Sequence, residues 1–323
     1  MQQRLRALDA FRQPKRVSQP EQLPEVAPDL AVNVTLSPFQ LLERSEVFVT
    51  LRDLIQRAYQ PSAQEVVKQH HLVIVGGQSL ALWARQYLID ELTGEEVAFV
   101  TSDDLDFIGN SSSIEHCRQA LKIDFRKASI EDNTPNLAIG LYEWQKDKRL
   151  VVDILGEIAG VEEKVLLKNL SLIDLEGVAI AVIDPVTCIQ SRLANLFALW
   201  QSNPQREAIR TKIAIRAANC FIREILVHDG YRAAAPVIRR VKRLALSDYG
   251  KRVFVEYGID VFNATPNDPA IFPALYSTRE RPKNVKQLQD IRRRKLVQYN
   301  RFGRGGDIHE SHTQPQIMPF DNR

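Results

Sequence analysis

No stretch of the 323-residue chain is apolar for long enough to cross a membrane, so a membrane-spanning protein is not expected. The opening MQQRLRALDAFRQPKR lacks the uninterrupted apolar core of a secretory signal, and the sequence points to a cytoplasmic location. Cysteine is scarce. Cys117, Cys188 and Cys220 are odd in number and far apart, which argues against a disulfide framework and a CxxC-type zinc site and leaves them as small core residues. No G-x-G-x-x-G occurs and no G-K-[ST] follows a glycine turn, so the dinucleotide fingerprint and the P-loop are both missing. There is no internal repeat. A net charge of +3 is too small to say much about partners, although the distribution of charge says more.

What is present is an ordinary globular composition, 44% apolar and 26% charged, in a chain long enough for two domains. Pro14, Pro20, Pro24 and Pro28 among glutamines and charges mark residues 1–35 as a flexible arm. Ser37-Pro38 reads as a helix start, with helical spacing on to Pro61 and a short helix near Ala63 to His70. The core, residues 36–183, then shows a buried strand over Leu72 to Val75, a tight Gly76-Gly77 turn and a helix with Leu80, Ala84, Leu88 and Leu92 on one face. A second strand is expected over Val97 to Ile108, a capped helix over SSSIEHCRQALK, and a hairpin of NLAIGLYEW with KRLVVDILGEI joined through Lys146 to Lys148. More strand-like sequence runs from Lys164 to Val182. With Asp184 as cap and Pro185 in the first turn, the pattern becomes helical and stays so to about Tyr257, within a helical C-terminal domain over 184–302. Residues 303–323 read as a disordered tail. His70 and His71 end a helix, while His116 and His228 read as isolated.

The segment TSDDLDFIG places Asp104 and Asp106 on one face of a strand, because alternate residues share a face, and turns Leu105 and Phe107 into the core. Two carboxylates at that spacing raise each other's pKa unless a cation sits between them, and magnesium removes the conflict. The plainer alternative is an aspartate-rich turn. Asp153 stands alone in RLVVDILG, and an ionised carboxylate in a buried strand needs a partner, either a shared cation or a nearby Lys or Arg. In VGGQS the glycines let backbone N–H groups and a helix start approach a phosphate, and Ser79 adds a hydroxyl.

GG-x-S, then D-x-D on the next strand, then a lone Asp on a later strand together resemble the nucleotidyltransferase superfamily with its polymerase-beta-like fold. VIVGGQSLAL, TSDDLDF and VIDPVTCIQSRLANL look most like the AbiEii-type toxin nucleotidyltransferases of bacterial toxin–antitoxin and phage-defence systems, over roughly residues 70–200. The resemblance implies an α/β, mixed-sheet nucleotidyltransferase core with a helical C-terminal domain. It also implies magnesium-dependent transfer of a nucleoside monophosphate from a nucleoside triphosphate to a hydroxyl. Gly76, Gly77, Ser79 and Arg192 would hold the nucleotide, while Asp104, Asp106 and Asp153 would serve as catalytic and metal residues of a two-metal site. Arg192 stands where the family usually has lysine, and AIRTKIAIRAANC offers Lys212 without a neighbouring acid. An RNA acceptor, such as a transfer-RNA end, and an antitoxin partner follow from the same resemblance. A protein or aminoglycoside-like acceptor, or a catalytically silent nucleotide- or RNA-binding protein of the same fold, is the alternative.

The charge distribution bears on the acceptor. Residues 279–304 contain ten basic side chains against Glu280 and Asp290, with Tyr299 and Phe302 interleaved, a pattern suited to RNA contact or to a solvated helix. VIRRVKRLAL places Arg239, Arg240, Lys242 and Arg243 around the polar side of a helix.

Overall fold

Strand alternation builds the sheet that positions the acidic residues. In Asp104–Ile108 (β2), Leu105 and Phe107 are fully buried while Asp104 and Asp106 occupy the half-buried positions between them. A computed structural model describes residues 37, 39, 40 and 45–302, apart from 103, 130, 132, 133, 146, 147 and 200. The expected N-terminal arm, Pro38, Asp103, the Lys146-Asp147 junction and the C-terminal tail lie outside the described residues.

Besides β2, the strands are Val73–Ile74 (β1), Phe125–Lys127 (β3), Asn136–Gln145 (β4), Lys148–Leu155 (β5), Leu170–Leu175 (β6) and Val178–Ile183 (β7). They form one seven-stranded sheet in the order β3-β4-β5-β2-β1-β7-β6. β2 runs parallel to β5 and β1 parallel to β7, while the remaining neighbours are antiparallel. The sheet is therefore mixed. Of the helices Glu46–Ala58 (α1), Ala63–His70 (α2), Gly76–Leu88 (α3), Gly94–Val100 (α4), Ser111–Leu121 (α5) and Glu163–Lys168 (α6), α1 and α2 pack on β7, α3 on β2 and α5 on β4, while α4 packs on α3.

Side-chain hydrogen bonds lock these helices onto the sheet. Trp83 of α3, 2% exposed, donates its indole N–H to Ile183 O at 2.8 Å, and the buried Tyr59 hydroxyl lies 2.9 Å from Ala181 O. A buried aromatic of this size contributes about 2–3 kcal/mol through its apolar area, and its polar tip must find a partner to avoid a desolvation cost. The C-terminal part is helical: Pro185–Ala198 (α7), Pro204–His228 (α8), Gly230–Leu246 (α9), Asp248–Tyr257 (α10) and Arg281–Phe302 (α11). Asp184 caps α7 by accepting from Thr187 N at 2.7 Å, with Pro185 in the first turn where no N–H is needed. The architecture is a mixed α/β core, consistent with the nucleotidyltransferase fold, followed by a helical C-terminal part.

Several local expectations are corrected. Val97–Val100 is helical, because Thr93 and Glu96 form a capping box whose reciprocal hydrogen bonds outweigh the strand-like Val and Phe. The strand begins only at Asp104. Lys164–Lys168 belongs to helix α6, and Ser45 starts α1 afresh by accepting from Phe48 N. His116 is not isolated, since its ring stacks on His70 with centroids 4.5 Å apart. Arg240 is not a solvated charge. It pairs with Asp184 in a close contact and donates to Thr187 Oγ1 at 2.6 Å, which ties α9 to the start of α7.

Candidate active site

Register decides which acids meet. Parallel pairing of β2 with β5 sets Asp106 directly opposite Asp153 and Asp104 opposite Val151. Neighbouring strands lie about 4.8 Å apart and paired residues point to the same face, so Asp104, Asp106 and Asp153 share one surface of the sheet. The Asp153 Oδ1 atom is buried and has no hydrogen-bond partner. Burial first, and then the charges of Asp104 and Asp153, push the Asp106 carboxyl up to about 7, while Arg192 and the Gly77 N–H pull in the other direction. Burial and Asp104 also raise the Asp153 carboxyl, opposed by Asn136. Three carboxylates with one nearby cation are an electrostatically frustrated set.

The glycine pair opens helix α3. Gly76 has φ +63°, and the Gly77 N–H donates to the Asp106 carboxylate, so that acid sits at the positive end of the helix. A Cβ on Gly76 would fall on the Asp106 carboxylate, 2.7 Å from its Cγ, and one on Gly77 would lie 2.5 Å from Ser102 Cβ. The absence of side chains is what lets the helix start and the acidic strand approach each other.

Two expected nucleotide ligands are engaged elsewhere. Ser79 is fully buried, donates its hydroxyl to Gly76 O at 2.9 Å and lies 3.9 Å from Cys188 Sγ. Arg192 is 4% exposed, with Nη1 3.3 Å from Glu207 Oε2, although its charge still acts on Asp106 and its buried Nε has no partner. Gly76, Gly77, Asp104, Asp106 and Asp153 thus converge directly, and Arg192 approaches as a buried cation held by Glu207.

Sequence reasoning missed three contributors. Glu207 bridges Arg192 and Arg210, the latter at 2.9 Å, and its only local signal was an acid between arginines near a helix start. Gln78 donates to Ser102 O and Asp104 O, and Ser102 donates its hydroxyl to Asp104 Oδ1. Nothing in the linear sequence distinguishes these two from solvated polar residues.

Magnesium fits the donor chemistry: the converging side chains offer oxygen only, and the partnerless Asp153 Oδ1 has spare acceptor capacity. Among the described residues, no group of three or more His, Cys, Asp or Glu side chains is arranged to hold a metal ion. Magnesium commonly takes one or two carboxylates and completes its shell with water and substrate phosphates.

The basic segment is divided by packing. Arg292 turns inward, donating to Asp260 Oδ2 at 2.8 Å and stacking 4.3 Å over the Phe254 ring. Arg281 donates to Pro266 O at 2.6 Å. Arg279, Lys283, Lys286, Arg293 and Arg294 remain exposed. Two open clefts lie away from the carboxylates. One, of about 410 Å³, is lined by residues including Leu88, Lys212, Arg216 and Asn219; the other, of about 580 Å³, runs along Arg281 to Arg293.

No protein-family model matches the sequence, and no curated protein matches it. Among solved structures, the chain is similar to an antigenic nucleotidyltransferase-like protein from Paracoccidioides brasiliensis. Identity is 10%, the match covers 69% of this chain and 97% of that one, and the TM-score is 0.36. A likeness that slight carries no weight for the chemistry, which rests on the residues described above.

Proposed function

We propose that the protein is a magnesium-dependent nucleotidyltransferase that moves a nucleoside monophosphate from a nucleoside triphosphate to a hydroxyl acceptor. The observation that carries this reading is the convergence of Asp104, Asp106 and Asp153 at the start of a glycine-opened helix. Like charges of this kind are costly together, and a polyphosphate-bound cation relieves the cost while the helix start faces anionic oxygens. Asp104 and Asp106 would hold magnesium with the triphosphate, and Asp153 would share a second ion. Bound there, magnesium would stabilise the entering and leaving oxygens of the phosphoryl transfer. Asp153, whose carboxyl pKa is raised and whose Oδ1 has no hydrogen-bond partner, would help activate the attacking hydroxyl by accepting its proton. Gly76 and Gly77, by lacking side chains, let the helix start close on the acidic strand, and Arg192 offsets negative charge from within the protein.

RNA is the favoured acceptor. Arg279, Lys283, Lys286, Arg293 and Arg294 leave exposed cations along the segment that ends in α11, with Tyr299 42% exposed beside them. A toxin or defence role with an antitoxin partner is the biological setting that the sequence resemblance suggests. The test is to incubate the purified chain with magnesium, each α-labelled nucleoside triphosphate, and either total cellular RNA, protein or an aminoglycoside. Label in RNA supports the full reading, and label in protein or aminoglycoside keeps the chemistry and replaces the acceptor. No label in any acceptor, together with no magnesium-dependent triphosphate binding, overturns the proposal.

A further inference from the structure

The peptide carbonyls leading into the acidic strand are held by side chains from two helices. Arg210 donates Nε to Phe99 O at 2.6 Å and Nη2 to Thr101 O at 3.2 Å, and Arg206 reaches Thr101 O at 3.3 Å. Gln78 then spans Ser102 O at 2.7 Å and Asp104 O at 3.2 Å with its amide nitrogen. Gln78 is 3% exposed and follows Gly77, whose N–H holds the Asp106 carboxylate. One turn of helix therefore grips both acids, Asp106 through a backbone N–H and Asp104 through its own carbonyl.

We propose that Gln78 is a positioning residue that sets the Asp104 carboxylate relative to Asp106, so that the two can share a divalent cation. The inference rests on the metal reading of the site given above. The side chain suits the task. A buried primary amide supplies two N–H donors from one nitrogen, matching two carbonyls two residues apart, and in a water-poor setting each bond resists displacement. Asparagine is one methylene shorter and cannot span the same gap from the helix. Glutamate would set a carboxylate against two carbonyl oxygens beside three existing acids. Groups that orient metal ligands without touching the metal commonly change affinity about 10–100-fold when lost.

The experiment titrates Mn²⁺ into the nucleotide-free full chain by calorimetry, comparing the parent with Gln78→Met, which keeps the shape and removes the donors, and with Gln78→Asn. Trp83→Phe, which loses the bond to Ile183 O in the same helix, controls for simple destabilisation. Expected is about a tenfold fall in Mn²⁺ affinity for Gln78→Met and a similar fall for Gln78→Asn, with parent affinity in Trp83→Phe despite its lower melting temperature. A folded Gln78→Met with parent affinity overturns the proposal, as does an equal loss in Trp83→Phe. Should the methionine variant not fold, the parent answers alone: the Gln78 side-chain amide NMR signals shift when Mg²⁺ binds, and unmoved signals with bound Mg²⁺ overturn the positioning role. A parent that binds no Mn²⁺ overturns the metal reading itself, which separates that failure from this one.

Discussion

Replacing Asp106 by asparagine should stabilise the metal-free protein at neutral and alkaline pH. An ordinary aspartate titrates near 3.8, whereas burial and the Asp104 and Asp153 charges push this one to about 7. Between pH 4 and 7 the folded chain holds a proton that the unfolded chain has released, so stability falls as pH rises through that window. Above pH 7 both states are ionised and the penalty is fully present; below pH 4 it is absent. At ~1.36 kcal/mol per pH unit, the interval from 3.8 to about 7 sets a ceiling of about 4 kcal/mol. Relaxation of the neighbouring acids lowers this, and a gain of roughly 2 kcal/mol is expected, or about 3–4 °C in melting temperature for a chain of this size. Asparagine still offers an oxygen to the Gly77 N–H. The assay is thermal melting with EDTA at pH 8 and pH 5, where the gain should shrink to less than half. Adding Mg²⁺ at pH 8 should raise the parent's midpoint and leave that of the variant unmoved. An Asp106→Asn protein that melts at or below the parent at pH 8 in EDTA would refute the frustrated-carboxylate account.

Gly76→Ala should cost at least about 2 kcal/mol and abolish magnesium-dependent triphosphate binding, because a Cβ at φ +63° meets the Asp106 carboxylate. Gly177→Ala, also at positive φ but facing open space, should cost only about 1 kcal/mol, and equal losses in urea melts would contradict the steric argument. Glu207→Gln leaves Arg192 and Arg210 without their shared anion, and about 3 kcal/mol of lost stability is expected by urea unfolding. Arg292→Ala should likewise cost about 3 kcal/mol by removing the partner of Asp260. Arg293→Ala and Arg294→Ala should instead leave stability unchanged and reduce the salt dependence of RNA binding by about 0.7 in log–log slope per contact. A stability loss in the exposed pair, or parent stability in Arg292→Ala, would reverse that division.

Much of the fold was legible from local rules. Asp184 followed by Pro185 announced helix α7, and the alternation in DLDFI fixed Asp104 and Asp106 on one face opposite Leu105 and Phe107. Those signals act within a few residues, through caps and the two-residue strand period, and need no knowledge of distant neighbours. The capping box at Thr93 and Glu96 is equally local, and it outweighs the run of strand formers that follows it. Tertiary structure decided the rest. Only the pairing of β2 with β5 sets Asp153 against Asp106 across 47 positions of sequence, and only the packing of α8 gives Arg192 its Glu207. The ten basic residues near the C-terminus looked alike in sequence, yet Arg292 is spent on Asp260 while Arg293 beside it stays in water. A helix repeats every 3.6 residues and presents adjacent residues about 100° apart, so which charge is buried is set by the helix's rotation against its neighbours, and that rotation is a property of the packed molecule.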